Sequence, residues 1–359
     1  MPGSTQTPAP SCWLRPRLGL GQPSTVLSCV ASAHHSGRRY WAADLAQWFA
    51  TLIGYEVARY APRVDLSPAA VGQAVAGVLD GVDAVPRVER LDRGFSWVTL
   101  GVDDVILRVA PRGGPLDPYD PEIEAANLRR TEGIVPAPRV LAVQPDPDNP
   151  IGRPFGVHTR VPGQILRLGD VTEHQPEYKA AAAQVLGQLH NLTTRLTVAE
   201  AYDTELERTE AVYCRAAPGR HPEFEAALMW LRNHRPDCNE SAVWCHGDFR
   251  FANLSWTGPG QLGGILDWER AWAGDPMCDV AFTHRFSGWC TIEDSTHYGH
   301  PIDRERLAYA ARFERVRSFT ASMRAIRAWL DVRSDDPRLL TIGRRGEHAM
   351  KAELGWATG

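Results

Sequence analysis

The residues best able to do chemistry fall in one stretch, Val243-Trp-Cys-His-Gly-Asp-Phe-Arg-Phe-Ala-Asn-Leu254. It holds His246-Gly247-Asp248 and, five residues after the aspartate, Asn253. Fourteen residues beyond Asn253, the run Ile265-Leu-Asp-Trp-Glu269 sets Asp267 at the end of an apolar strand. Between them, Thr257-Gly-Pro-Gly260 reads as a hairpin turn. Oxygen donors from Asn253 and Asp267 suit Mg²⁺, a hard cation that takes one or two protein ligands alongside nucleotide phosphates. Asp248 is the carboxylate able to orient an attacking hydroxyl and take its proton. Together the three fit phosphoryl transfer from ATP, where catalysis is largely positioning. His-Gly-Asp or Asp-Trp-Glu alone is an ordinary turn or strand end. The joint pattern, continued by Gly274-Asp-Pro276 and Asp279, is far more restrictive.

Such a loop must be carried by a scaffold, and the pattern of apolar residues supplies one. Val88–Leu91, Trp97–Val102, Val105–Val109, Val140–Val143 and Phe155–Val161 read as strands, with Asp103-Asp104 as a turn. Helices are expected over Asp44–Val57, from Ser67 to about Leu79, and over Glu122–Thr131. After Pro162-Gly163 the character becomes helical: Glu177–Leu192, Glu223–Asn233 and Arg304–Leu330, interrupted by a β-rich segment from Val243 to Trp268. The expected class is α+β, with a β-rich lobe and a mainly helical lobe meeting near residue 162. The expected organisation is a disordered leader over 1–40, an N-terminal nucleotide-binding lobe with its preceding helices over 41–162, and a helical C-terminal lobe with the catalytic loop and acceptor site over 163–359. Clefts between lobes are favoured ligand sites.

Composition narrows the partners. The 359 residues carry 39 Lys and Arg against 43 Asp and Glu, a net charge of −4. That balance argues against a nucleic-acid binder, which needs concentrated positive charge. No apolar run is long enough for a spanning helix. Seven scattered cysteines without a C-x-x-C pair fit reduced thiols in the cytoplasm better than a disulfide framework or zinc ribbon. A faint secretory pattern ending at Ala31-Ser-Ala33 is broken by Gly19, Gly21, Gln22 and Pro23. Lysine occurs only at Lys179 and Lys351, so a mechanism needing a lysine in the N-terminal half is excluded.

The loop and strand motifs resemble the catalytic core of the aminoglycoside phosphotransferase and choline kinase superfamily, which has a protein-kinase-like bilobal fold. The resemblance runs from about Val88 to Leu330. It is nearest to the branch that includes phosphotransferase domains related to those joined to acyl-CoA dehydrogenases. It implies ATP and Mg²⁺ as cofactors, Asp248 as catalytic base, and Asn253 and Asp267 as metal ligands, with Glu269 reaching a second metal or its waters. It implies His246 as a buried orienter of the loop, Asp279 as its brace, and His190 as a structural residue. The cation that holds the phosphates is usually a lysine on the third strand. Here Arg108 stands in that place, and guanidinium binds phosphate bidentately. Glu124 is the expected ion-pair partner, with Glu122 the alternative. Gly94 and Ser96, within Arg93-Gly-Phe-Ser96, would cover the phosphates through backbone N–H groups and a hydroxyl.

The acceptor implied is a small-molecule hydroxyl, on an aminoglycoside-like antibiotic or on a metabolite such as a hydroxyacyl-CoA. Two features bear on it. Beyond the motif carboxylates, the segment to Asp303 adds few acidic groups. The helix Arg304–Leu330 carries seven arginines, which read either as a solvated face or as a surface toward an anionic acceptor. A second functional reading is a catalytically weak nucleotide-binding regulatory module of the same fold, motivated by the single glycine of the phosphate turn and the absent lysine.

Overall fold

A computed structural model describes residues 64–83, 85–91, 96–111, 113–116, 119–166, 168–287, 296–331, 334 and 336–353. The leader at 1–40, the expected helix Asp44–Val57 and Gly94 lie outside these residues.

Short β-branched runs build a five-stranded antiparallel sheet from β1 (Val88–Arg90), β2 (Val98–Val102), β3 (Val105–Val109), β4 (Val140–Gln144) and β5 (Phe155–Thr159), in the order β1-β2-β3-β5-β4. Helix α1 (Pro68–Ala76) begins where Ser67 caps it and packs Val71, Ala74 and Val75 onto Leu107, Val109, Phe155 and Val157 of the sheet. Helix α2 (Pro121–Thr131) is set by an Asp120 N-cap and a proline at its first position. Strand alternation sends Leu107 and Val109 into this core, which puts Arg108 on the opposite face.

The helical part contains α3 (Gln175–His190), α4 (Val198–Ala216), α5 (Pro222–Asn233), α6 (Pro276–Ser287), α7 (Arg304–Leu330) and α8 (Pro337–Glu353). Two small sheets sit among these helices. Strand β8 (Ser241–Cys245) pairs with β11 (Trp272–Gly274) and β7 (Thr193–Thr197) in one, while β9 (Leu254–Gly258) pairs with β10 (Gln261–Ile265) and the two-residue β6 (Gln164–Ile165) in the other. Gly260 at φ 65° turns the β9–β10 hairpin, a conformation open to glycine. Tyr298, Tyr309 and Phe313 are buried core residues.

The expectation of reduced thiols is corrected at one position. Cys214 is disulfide-bonded, and Cys238, Cys245 and Cys278 are free. Among the described residues, no helix is long and apolar enough to cross a membrane.

Candidate active site

Four elements converge on one cluster of charges. Arg108 reaches from β3, and its Nε lies 3.0 Å from Glu124 Oε2 on α2. Its Nη2 lies 2.8 Å from Asp267 Oδ1 and 3.3 Å from Glu269 Oε2. The guanidinium also stands 5.9 Å from the Trp97 ring centre. Burial works against the Arg108 charge, yet the three carboxylates outweigh it and move its pKa upward. Glu122, the alternative partner, pairs at the surface with Arg129 instead.

The same helix holds the Asp-Trp-Glu segment in place. Glu124 Oε1 accepts from the Trp268 N–H at 3.2 Å, and the Asn127 amide donates to the Trp268 carbonyl at 2.7 Å. Glu124 and Asn127 are three residues apart and share the buried face of α2. Sequence reasoning missed Asn127, though its i+3 spacing from Glu124 was the available signal. Asp267 adopts a left-handed conformation, φ 69° and ψ 62°, uncommon for a residue with a side chain. The Trp268 indole is fully buried and donates to the Ile265 carbonyl at 2.8 Å, fixing this turn.

Burial raises the pKa of Asp267, but the Arg108 charge and hydrogen bond override it and hold the carboxyl below its ordinary value. Glu269 goes the other way: burial and the neighbouring Asp267 push it up to about 8, against the pull of Arg108 and a hydrogen bond from Ser96. That contact brings Ser96 to the cluster. His158 on β5 is buried near Arg108, and its pKa falls to about 3, so it is neutral.

The second half of the site is the loop after β8. Asn253 donates from Nδ2 to the Asp248 carbonyl at 2.9 Å and to Asp248 Oδ2 at 3.1 Å, which leaves its side-chain Oδ1 without a hydrogen-bond donor among the described residues. Arg250 Nε lies 3.3 Å from Asp248 Oδ1. Burial raises the Asp248 pKa, opposed by Arg250 and Arg270. His246 is fully buried, which depresses its pKa. Its Nδ1 accepts from the Asp248 N–H at 3.2 Å, and its Nε2 donates to the Leu266 carbonyl at 3.0 Å. Both ring nitrogens are thereby used to tie the loop to the Asp267 strand end, and neither is open to take a proton.

Asp279, on the first turn of α6, braces the loop from beneath. Its carboxylate accepts from the His246 N–H at 2.7 Å, the Gly247 N–H at 2.8 Å and His190 Nε2 at 3.2 Å. Burial opposes this charge, but the His190 and backbone donors prevail and keep Asp279 below the usual carboxylate range. Gly247 has φ 75°, and a Cβ there would stand 2.3 Å from the Arg270 carbonyl oxygen. The loop therefore requires glycine at this point. Asp275 accepts from Arg306 at 3.0 and 2.9 Å, from the Tyr202 hydroxyl at 3.1 Å and from the Met277 N–H at 2.9 Å, so α6 starts in a fixed position.

The Asp267 and Glu269 carboxylates and the Asn253 side-chain oxygen are hard oxygen donors, the ligand type that Mg²⁺ prefers, and are the groups that could hold such an ion. Arg108 adds a planar phosphate-binding group. Of the residues singled out in the sequence, Arg108, Glu124, Asp267, Glu269 and Ser96 are brought together directly. Asp248 and Asn253 sit on the adjoining loop, joined to that group through His246 and Leu266.

A β-sheet lobe and a helical part flanking such a charge cluster define the protein-kinase-like phosphotransferase class. Residues 88–329 match the model of the phosphotransferase enzyme family, and the chain belongs to that family. Among curated relatives, acyl-CoA dehydrogenase family member 11 of Gallus gallus is 28% identical over 210 residues, 54% of this chain and 27% of the chicken protein. Family member 10 of Mus musculus is 28% identical over 202 residues, 52% of this chain and 19% of the mouse protein. The match thus spans about a quarter or less of these relatives. Among solved structures, a Ralstonia eutropha protein provisionally classed as an aminoglycoside phosphotransferase gives a TM-score of 0.58 at 19% identity, covering 80% of this chain and 97% of that one. An aminoglycoside phosphotransferase in complex with GDP and kanamycin gives 0.54 at 16% identity, covering 78% and 96%. These likenesses show the fold.

Proposed function

We propose that this chain is an ATP- and Mg²⁺-dependent phosphotransferase acting on a hydroxyl of a small molecule. The observation that carries the proposal is the bridge from Arg108 to Glu124, Asp267 and Glu269, which joins a phosphate-binding cation to a hard-cation donor set. Asp267, Asn253 and Glu269 would hold the metal, which when bound supplies charge neutralisation to the nucleotide phosphates. Arg108 would grip phosphate oxygens in both its planar N–H directions. Ser96 adds a hydroxyl at the same edge, and Gly94 would add backbone N–H groups.

Asp248 would accept a hydrogen bond from the acceptor alcohol and receive its proton. The alcohol oxygen forms a bond to the γ-phosphorus while the bond from that phosphorus to the β–γ bridging oxygen breaks. The products are a phosphate monoester and ADP. Asp248 stays oriented because Asn253 and Arg250 hold its two oxygens and Asp279 holds its loop. Kinship with the acyl-CoA dehydrogenase relatives favours a metabolite acceptor, and the structural neighbour bound to kanamycin favours an aminoglycoside-like one. The reading as a regulatory module is opposed by the complete set Asp248, Asn253 and Asp267.

The test is ATP consumption over a panel of hydroxyl acceptors, comparing the wild type with Asp248→Asn. Acceptor-dependent turnover that falls at least about a hundredfold in the variant, with nucleotide affinity kept, supports the proposal. Nucleotide binding without phosphorylation of any acceptor supports the module instead.

A further inference from the structure

Arg250 stands two residues after Asp248, at the start of the turn that carries Asn253. Its backbone is extended, with φ −146° and ψ 159°, and its carbonyl accepts from the Asn253 N–H at 2.9 Å. Phe249 and Phe251 on either side are buried, and Thr283 Oγ1 donates to the Phe249 carbonyl at 3.0 Å. An extended chain sends successive side chains to opposite faces, so the Arg250 side chain leaves on the side away from these two rings. Its backbone is thereby pinned, while its side chain is 43% exposed and lies against Asp248.

The two oxygens of Asp248 face different neighbours. Oδ2 accepts from Asn253 at 3.1 Å, whereas Oδ1 has Arg250 Nε at 3.3 Å. That Nε is buried and makes no hydrogen bond among the described residues, so its contact with Oδ1 is an ion pair without hydrogen-bond alignment. A buried donor left unbonded costs stability, and an acceptor brought to it removes that cost. Burial raises the pKa of Asp248 and of Asp267, and the Arg250 charge opposes burial at both. The other cations near the loop are engaged elsewhere. Arg270 lies over the Phe282 ring at 5.6 Å, and Arg108 is held by Glu124, Asp267 and Glu269.

A substrate alcohol held by Asp248 would lie about 2.6–3.2 Å from a carboxylate oxygen. The γ-phosphorus would stand about 3–3.5 Å from the alcohol oxygen. Arg250 already touches Oδ1, the oxygen that Asn253 leaves open, so rotation about its own side-chain bonds carries its terminal N–H groups toward the phosphoryl oxygens. We propose that Arg250 is a second catalytic residue, donating hydrogen bonds to the phosphoryl group while that group passes from ATP to the alcohol at Asp248. The alcohol oxygen bonds to the γ-phosphorus, the bond from phosphorus to the β–γ bridging oxygen breaks, and Asp248 takes the alcohol proton. Arg250 keeps its own protons throughout. Negative charge is spread over the three equatorial oxygens in this transition state, where a positioned cation stabilises it more than it stabilises bound ATP. The inference rests on the phosphotransferase reading and adds a residue to the machinery of that same site.

The experiment uses the full chain, ADP, Mg²⁺ and aluminium fluoride, which with ADP mimics the phosphoryl group in flight. Calorimetry measures ADP affinity with Mg²⁺ alone and with Mg²⁺ plus aluminium fluoride, in the wild type, Arg250→Gln and Arg250→Lys. The wild type should bind ADP at least about a hundredfold more tightly when aluminium fluoride is present. Arg250→Gln should lose most of that gain while its affinity for ADP with Mg²⁺ alone changes less than about threefold. Arg250→Lys should recover part of the gain, because it restores the charge without the planar fork. Urea unfolding confirms that both variants fold. An equal gain in the wild type and Arg250→Gln, no gain in the wild type, or an equal weakening of ADP binding with and without aluminium fluoride overturns the inference. The underlying phosphotransferase reading fails separately, through the absence of any Mg²⁺-dependent nucleotide binding by the wild type.

Discussion

Replacing Asp279 by asparagine separates the brace of the catalytic loop from its chemistry. The carboxylate is fully buried and accepts from two consecutive backbone N–H groups and from His190. The amide introduced by Asp279→Asn would keep one acceptor oxygen but turn an N–H toward a donor already there. Each hydrogen bond to a charged group contributes about 1.5–3 kcal/mol, and an orphaned buried donor costs about 1–3 kcal/mol. The expected loss for Asp279→Asn is therefore about 3–5 kcal/mol. Its pH dependence follows from the depressed folded-state pKa. That contribution is present above the unfolded carboxylate value of about 3.9 and is lost as pH falls through the folded value. Urea unfolding of wild type and variant across a pH series reads both quantities. The gap should be widest near neutrality and close on strong acidification. A gap under about 1 kcal/mol at neutral pH, or one that widens toward acid, would refute the reasoning.

Other positions give sharper structural tests. Gly247→Ala combines a left-handed backbone with a 2.3 Å approach to the Arg270 carbonyl, so a loss of roughly 2–4 kcal/mol and slowed turnover are expected from thermal unfolding and activity assays. Arg317→Met leaves Glu314 buried without its paired cation and Glu205 with Arg208 alone, and should cost about 3–5 kcal/mol in urea. Adding Glu205→Gln and Glu314→Gln to that variant should recover a large part, and no recovery would contradict an electrostatic origin. Glu124→Gln should weaken nucleotide binding about tenfold by loosening Arg108 and the Trp268 turn, with an unchanged affinity counting against this positioning role.

Much of this architecture was legible because local pattern and tertiary need agree. Arg304–Leu330 occurs with the expected ends, since Asp303 caps it and its apolar face packs inward. The short β-branched apolar run Val105–Val109 announced a strand, and the choice of Glu124 over Glu122 followed from family spacing. Helix α4 was missed despite a capping box formed by Thr197 and Glu200, because its alternating charges obscure the apolar stripe. Strands β6, β7 and β11 are too short or too polar to declare themselves without the neighbours that pair with them.

On the proposed function, Asp267, Asn253 and Glu269 present oxygens to a metal-bound nucleotide while Arg108 holds its phosphates. Calorimetric titration of ATP into the wild type and Asp267→Asn, each with and without Mg²⁺, addresses it directly. Asparagine tolerates the left-handed backbone at this position, so the variant keeps its fold while losing the charge. Mg²⁺ is expected to strengthen wild-type binding at least about tenfold, and that enhancement is expected to be lost in the variant. Equal enhancement in both proteins, or no ATP binding by the wild type, would contradict it.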